Sequence, residues 1–153
     1  VWQQLLRESH VALDTPTIRT GDLRAFTRFR QRVARVKTQI ATVLEMASDG
    51  RSVVDVMGAS TKGNILLQVL GIGPGDIRQA IDRAPDKVGL HTITGIPIVG
   101  EAAVREEVAD VWLANIWQFR ESVLRRQQWF LDGGGTIVFP LPYPEIVRKS
   151  WRA

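Results

Sequence analysis

The residues best suited to chemistry in this sequence lie in a short polar loop, GASTKGN, which begins at Gly58. Ser60 and Thr61 supply hydroxyls, and Lys62 supplies an ammonium group. Hydroxyl, ammonium and unpaired backbone N–H groups are hydrogen-bond donors, and a helix that starts at such a loop adds the positive end of its dipole. If a helix follows, the loop is predicted to bind an anion such as a phosphate.

Two common phosphate-loop patterns do not fit this stretch. A Walker loop places its lysine directly after the second glycine and then continues with Ser or Thr. Here Lys62 precedes Gly63, and Asn64 follows it. The dinucleotide fingerprint GxGxxG requires a glycine where this sequence has Ser60. The donors for an anion are still present, and the alternative interpretation is a purely structural glycine-rich turn.

Strand and helix patterns alternate around this loop. Before it, SVVDVMG is rich in β-branched residues and predicts a buried strand, and after it KGNILLQVLG predicts a helix. After this helix, IRQAIDR predicts a short strand, and another short strand is expected around residues 96–98. EAAVREEVA then predicts a helix, DVWLANIW a strand, FRESVLRRQQWFLDGG a helix and TIVFPLP the last strand. This order predicts an α/β fold, a Rossmann-like parallel sheet of about four or five strands flanked by helices.

The carboxyl ends of parallel strands lie along one edge of such a sheet, where ligands bind. Gly58, Asp82, residues 115–118 and Pro140 are expected at that edge. Asp82 ends the second predicted strand, where a Rossmann fold often places an acid that binds a ribose. The loop and Asp82 together favour a nucleotide or phosphate site. The alternative is that Asp82 only caps the loop that follows it.

A long amphipathic helix is predicted over residues 22–49, with Asp22 at its start and Gly50 ending it in the left-handed conformation. One face carries apolar side chains at spacings of three and four: Phe26, Phe29, Val33, Val36, Ile40 and Val43. Basic residues cover the other faces, and no acid lies between Leu23 and Leu44. Three interpretations are open: a solvated basic surface, a docking surface for an acidic partner or an absent neighbouring domain, and a homodimer contact between two long helices.

Composition restricts the classes of function. The chain has 153 residues, 44% of them hydrophobic and 24% charged, which fits one ordinary globular domain. No apolar run approaches the roughly 20 residues of a membrane span, so no membrane partner is expected. The absence of cysteine and the presence of only His10 and His91 predict no metal site. The net charge of +4 comes from the N-terminal third and does not indicate a nucleic-acid partner.

No set of nucleophile, base and orienting residue is visible, so no catalytic residue is predicted in this chain. His91 is interpreted as a solvated loop histidine. Trp112 and Trp117 are interpreted as packing residues of the core or of the sheet end rather than as a platform for stacking bases.

Four sequence blocks, taken together, resemble one protein family. They are VVDVMGASTKGNILLQVLGI, AIDRAPDKVGLHTITGIPIV, DVWLANIWQFRESVL and WFLDGGGTIVFPLP, and the preceding LRAFTRFRQRVARVKTQI is similar to a linking helix of that family. In this order and spacing they resemble the Rossmann-like C-terminal domain of S-adenosylmethionine-dependent C-methyltransferases that act on nucleotide-linked deoxysugars. The resemblance covers about residues 20–147.

The resemblance implies a cytoplasmic enzyme of deoxysugar biosynthesis with three parts: a cysteine-rich zinc module, a central methyltransferase domain and this C-terminal domain. The sugar nucleotide would lie between the last two parts. S-adenosylmethionine would be bound by the parent enzyme and not by this chain, and the isolated domain would be inactive. We accordingly divide the chain into an N-terminal segment with a linking helix, residues 1–50, and a substrate-binding domain, residues 51–153.

The resemblance also implies which residues contact the nucleotide-linked sugar. In the second block it assigns a role to Pro85 and Gly89, in addition to Asp82 and Lys87. The expected substrate-binding set, from the loop chemistry and the resemblance together, is Gly58, Ser60, Thr61, Lys62, Gly63, Asn64, Asp82, Lys87, Trp117 and Gln118. The sequence departs from the family pattern at Ala84 and Gln118, where the family has Asn, and at Ser122, where it has Glu.

Two functions of other classes stay open from the sequence. One is a self-contained module that binds a nucleotide or a coenzyme. The other is a non-catalytic dimerisation domain that uses the apolar face of the long helix.

Overall fold

The computed structural model describes residues 23–149, which form a six-stranded sheet with helices packed on both faces. The strands are β1 (Val54–Met57), β2 (Ala80–Asp82), β3 (Ile98–Gly100), β4 (Val111–Ala114), β5 (Thr136–Phe139) and β6 (Glu145–Arg148). The helices are α1 (Leu23–Asp49), α2 (Thr61–Leu70), α3 (Arg120–Arg126) and α4 (Gln128–Asp132). Single 3-10 turns cover Pro85–Lys87, Ala103–Arg105 and Trp117–Phe119. Asp22 lies outside the described residues.

The order of the strands across the sheet is β3-β2-β1-β4-β5-β6, and only β6 runs antiparallel to its neighbour. The α/β fold with a mostly parallel sheet is therefore confirmed, with six strands rather than four or five. The chain first moves outward from β1 to β3 and then returns to β4 on the other side of β1. Met57 pairs with Ala114 at this switch point. A ligand site is expected just beyond the carboxyl ends of these two strands.

Every residue of β1 and β4 is buried, and the core lies on both sides of them. On one face, Ile40 of α1 and Leu67 of α2 pack over Val56. On the other face, Trp112 stacks on Phe130 with ring centroids 3.7 Å apart. Because Trp112 is almost completely buried, it packs in the core, as interpreted from the sequence.

The apolar face of α1 is divided between core and solvent. Val36, Ile40 and Val43 are buried, whereas Phe26 and Phe29 are 71% and 58% exposed. A helix of 27 residues is about 40 Å long at ~1.5 Å per residue, so it extends well beyond the sheet that covers its second half. The helix also ends differently from the prediction, because Arg51 takes the positive φ (55°) that was expected of Gly50.

Two helix predictions are corrected by the structure. EAAVREEVA forms only the 3-10 turn Ala103–Arg105, since the two glutamates that follow oppose a helix dipole at its carboxyl end. The helix predicted after β4 is divided into α3 and α4 at Gln127. The buried Gln127 amide donates to Glu101 Oε1 at 2.6 Å and accepts from Trp129 Nε1 at 2.8 Å. No helix within residues 23–149 is long and apolar enough to cross a membrane.

The edge strand β6 was not predicted from the sequence. Its side chains are only partly buried, so no alternation of apolar and polar residues marks it. An ion pair fastens it to α3: Arg120 donates from Nε to Glu145 Oε2 at 2.8 Å and from Nη2 to Oε1 at 2.6 Å. The hydrogen bonds from Arg120 hold the pKa of Glu145 below its usual value, against the opposing effect of burial.

Candidate functional site

The first turn of α2 forms the centre of the candidate site, because it follows the carboxyl end of β1 directly. Ser60 is the N-cap residue, and its Oγ accepts the N–H of Gly63 at 3.2 Å. The N–H groups of Thr61 and Lys62 occupy the first two helical positions and have no acceptor within the helix. These two amides are among the donors that the sequence predicts for an anion, and the positive end of the helix dipole adds electrostatic attraction.

Both glycines of the loop are required by close packing against the end of β4. Gly58 has φ +97°, and a Cβ there would lie 2.4 Å from Ile116 Cγ2. A Cβ at Gly63 would lie 3.0 Å from the carbonyl oxygen of Gly58 and 3.1 Å from Asn115 Cβ. The missing side chains therefore bring the loop against β4 and set the position of the first turn of α2.

Asn64 connects the loop to the segment that precedes β3. Its Nδ2 donates to the carbonyl oxygen of Ser60 at 3.2 Å. Its Oδ1 accepts the backbone N–H of Ile93 at 2.9 Å. Both polar ends of this side chain are therefore occupied within the protein.

Asp82 and Lys87 support the loop from β2. The carboxylate of Asp82 accepts the N–H of Ala59 and the N–H of Ala84, each at 2.9 Å. Lys87 Nζ lies 3.3 Å from Asp82 Oδ2 and 3.3 Å from the carbonyl oxygen of Ala59. Burial alone would raise the pKa of Asp82, but hydrogen bonds from Ala84, Ala59 and Lys87 outweigh it and hold the pKa below the usual value.

Replacing Asp82 by Asn is expected to lower the free energy of unfolding by about 1–3 kcal/mol, because one of its donors then loses its acceptor. The folded pKa of Asp82 is depressed, so its contribution is complete above the unfolded value of about 4 and is lost as the pH falls through the folded pKa. Urea unfolding between pH 3 and pH 7 should therefore show a weaker acid destabilisation in Asp82→Asn than in the wild type. Asp86→Asn, at an exposed acid in the adjacent turn, is the control. Identical pH profiles for Asp82→Asn and the wild type would contradict this role.

The structure divides the ten predicted site residues into two groups. Six of them build or support the loop: Gly58, Ser60, Gly63, Asn64, Asp82 and Lys87. The other four stand at its outer side. Thr61 and Lys62 are exposed at the start of α2, and Trp117 and Gln118 follow β4 across the switch point. Lys62 and Trp117 line the same surface cavity, so these two predicted residues are brought together.

Two residues next to the loop, Asn115 and Ile116, are not among the residues that the sequence predicts for the site. Asn115 is completely buried, and its Nδ2 donates to the carbonyl oxygen of Gly63 at 3.4 Å. Ile116 packs against Gly58. Their signal in the sequence is their position directly after a buried strand that ends at the same edge. Neither residue offers an exposed polar group to a ligand.

The segment after β2 contains three further residues for which the sequence makes a prediction, Pro85, Gly89 and His91. Pro85 begins a 3-10 turn, and Gly89 has φ +85°. His91 is exposed and its backbone forms a bridge with Pro97, which agrees with a solvated loop histidine. Within residues 23–149, no cluster of three or more His, Cys, Asp or Glu side chains could hold a metal ion.

Comparison with known proteins places these features in a family. The family model described as the C-methyltransferase C-terminal domain matches residues 11–142. The C-methyltransferase NovU of Streptomyces niveus is 30% identical over 124 residues. This alignment covers 80% of the chain and 29% of NovU, so the chain spans less than a third of the length of that relative.

The matched range contains α1, the loop, α2 and the five parallel strands, and therefore every predicted site residue. The chain belongs to the family of C-methyltransferase C-terminal domains.

Proposed function

We propose that this chain is the part of an S-adenosylmethionine-dependent C-methyltransferase that binds a nucleotide-linked deoxysugar. The observation that carries the proposal is the arrangement at the switch point. There the amides of Thr61 and Lys62 begin α2 just after the carboxyl end of β1, and Lys62 lines a cavity together with Trp117, which follows β4. This is the edge at which parallel α/β sheets bind nucleotides, and the donors suit a diphosphate.

In the proposed complex the diphosphate lies against the first turn of α2. The amides of Thr61 and Lys62 donate to its oxygens, and the Lys62 side chain offsets its charge. Trp117 and Gln118 contact the nucleoside or the sugar from the other side of the switch point. The supported loop keeps these groups in place before the ligand arrives, which lowers the cost of orienting the carbon that receives the methyl group.

The methyl transfer itself is assigned to another part of the parent enzyme. S-adenosylmethionine supplies the methyl group there, and the base that removes the proton from the sugar carbon belongs to the same part. The proposed partner of this chain is therefore the methyltransferase domain of its own polypeptide, in the cytoplasm. The isolated chain is expected to bind the sugar nucleotide without methylating it.

Replacing Lys62 by Gln is expected to weaken the binding of a nucleoside-diphosphate sugar about tenfold, or ~1.4 kcal/mol. The physical reason is the loss of one charge-assisted contact to the diphosphate. Isothermal titration calorimetry of the 153-residue chain, and of the longer polypeptide that carries it, measures this change. The difference should decrease at high salt, because the lost contact is electrostatic and exposed.

Lys37→Gln is the matched control. Lys37 is an exposed lysine beside Gly71, at the opposite end of α2, so its removal changes the net charge equally without touching the site. Equal affinities for Lys62→Gln and Lys37→Gln would contradict the assigned role of Lys62. Saturable binding of a dinucleotide or of coenzyme A, with no binding of nucleoside-diphosphate sugars, would instead favour a self-contained coenzyme module.

A further inference from the structure

An apolar groove of about 580 Å³ runs between the first half of α1 and the outer face of α2. We call it the α1–α2 groove. Its walls include Phe29, Val33, Ile65, Val69, Trp117 and Pro142. The last two residues follow β4 and β5, so the groove opens at the carboxyl edge of the sheet, next to Lys62.

The side chains along this groove are unusually exposed for apolar residues. Phe29, Ile65 and Val69 are 58%, 55% and 45% exposed, and Phe26 continues the apolar surface one turn earlier along α1. Single exposed apolar residues are ordinary, but a contiguous apolar patch on two neighbouring helices is typical of an interaction surface.

The charge around the groove identifies the kind of surface that fits it. Arg32 and Lys62 contribute to its walls, and among the described residues that line it none is acidic. Between Arg30 and Lys37, α1 carries four basic residues and no acid. A second copy of α1 would therefore bring like charges together, whereas an apolar surface with acidic residues at its rim would be complementary.

The position of the groove relates it to the chain that precedes α1. The second half of α1 packs beside the amino end of β1, with Asp49 and Val54 lining another cavity there. The first half therefore reaches the carboxyl edge, and the chain enters α1 at that edge. This chain spans 29% of the length of its relative NovU. A preceding part of a longer polypeptide would arrive beside the groove and beside the candidate site.

We propose that the α1–α2 groove is the docking surface for the methyltransferase part of the same polypeptide, which meets it with an apolar surface rimmed by acidic side chains. The proposal rests on the proposed function, since it requires a parent enzyme that contains such a part. Docking there closes the side of the candidate site that Lys62 and Trp117 leave exposed. The groove thereby determines where the methyl donor stands relative to the bound sugar.

Hydrogen exchange measured by mass spectrometry tests the proposal on the longer polypeptide and on the 153-residue chain. Amides in residues 26–36 and 65–70 should exchange at least ~10-fold more slowly in the longer polypeptide. Phe29→Asp in the longer polypeptide should return them to the rates of the 153-residue chain. In the 153-residue chain Phe29 is mostly exposed, so Phe29→Asp in that chain should keep the wild-type unfolding midpoint. Gln31→Asp adds the same charge on the opposite face of α1 and should leave the protection intact.

Four results would overturn the proposal. The first is equal exchange in both polypeptides, and the second is a reading frame without a methyltransferase part. The third is protection of the 153-residue chain that rises with its concentration, which would assign the groove to a second copy. The fourth is protection of the 153-residue chain that is lost when residues 1–22 are removed, which would assign the groove to that segment. Sugar-nucleotide affinity is measured separately by calorimetry, so failure of substrate binding is distinguished from failure of docking.

Discussion

Replacing Arg78 by Met is expected to lower the free energy of unfolding by about 3–5 kcal/mol. Asp55 of β1 is completely buried, and Arg78 donates to both of its oxygens, at 3.0 Å from Nε and 2.8 Å from Nη2. Without Arg78 the carboxylate would keep only Gln79 as a side-chain donor, at 3.0 Å. An almost unpaired charge in the interior is costly, and a typical domain is stable by only about 5–15 kcal/mol.

Urea unfolding followed by tryptophan fluorescence measures this loss. Glu107→Gln is the control, because the Glu107 carboxylate that pairs with Arg78 is 80% exposed and its removal should cost less than about 1 kcal/mol. The double variant Arg78→Met, Asp55→Asn should be more stable than Arg78→Met alone, since the buried charge is then absent. A single variant within ~1 kcal/mol of the wild type would show that Asp55 is tolerated without its partner. This ion pair lies at the amino end of β1, so it supports the sheet without touching the candidate site.

Replacing Gly58 by Ala is expected to destabilise the fold by about 2–6 kcal/mol and to abolish detectable binding of a nucleoside-diphosphate sugar. The φ of +97° is strained for any residue with a Cβ, which costs about 1–3 kcal/mol. The new Cβ would also lie 2.4 Å from Ile116 Cγ2, and overpacking of this kind costs about 1–3 kcal/mol. Relief of the contact requires the loop to move away from β4, which displaces the first turn of α2. Unfolding curves and calorimetry on the same samples measure both effects.

Two controls separate the strain from the contact. Gly134 has φ +92° with no heavy atom within 4 Å of an added Cβ, so Gly134→Ala should show the strain alone. Gly58→Ala combined with Ile116→Ala should remove the contact and retain the strain. Wild-type affinity in a destabilised but folded Gly58→Ala variant would contradict the link between this packing and ligand binding.

The local sequence pattern was sufficient to predict the elements that carry the candidate site. The β-branched run before Gly58 and the helical spacing after it are properties of neighbouring residues, so the strand, the loop and α2 were predictable. The parallel sheet followed from the alternation of strands and helices, because parallel strands need a crossover between them. EAAVREEVA shows where local pattern failed, since a helical period alone does not outweigh unfavourable charge at the helix end.

Residue type and periodicity act over a few neighbours, so they were enough to predict the strand–loop–helix order around Gly58, the two strands that flank the switch point and the donors in the loop. The use of the polar groups around the loop depends on contacts between residues that are distant in sequence. Asp82, Lys87 and Asn64 read as ligand residues in sequence, yet their polar atoms are taken up by Ala59, Ala84 and Ile93. The tertiary structure also decided that Phe29 lies outside the core and that β6 pairs with β5. These features depend on contacts between residues that are distant in sequence, and the spacing of residues along the chain does not encode such contacts.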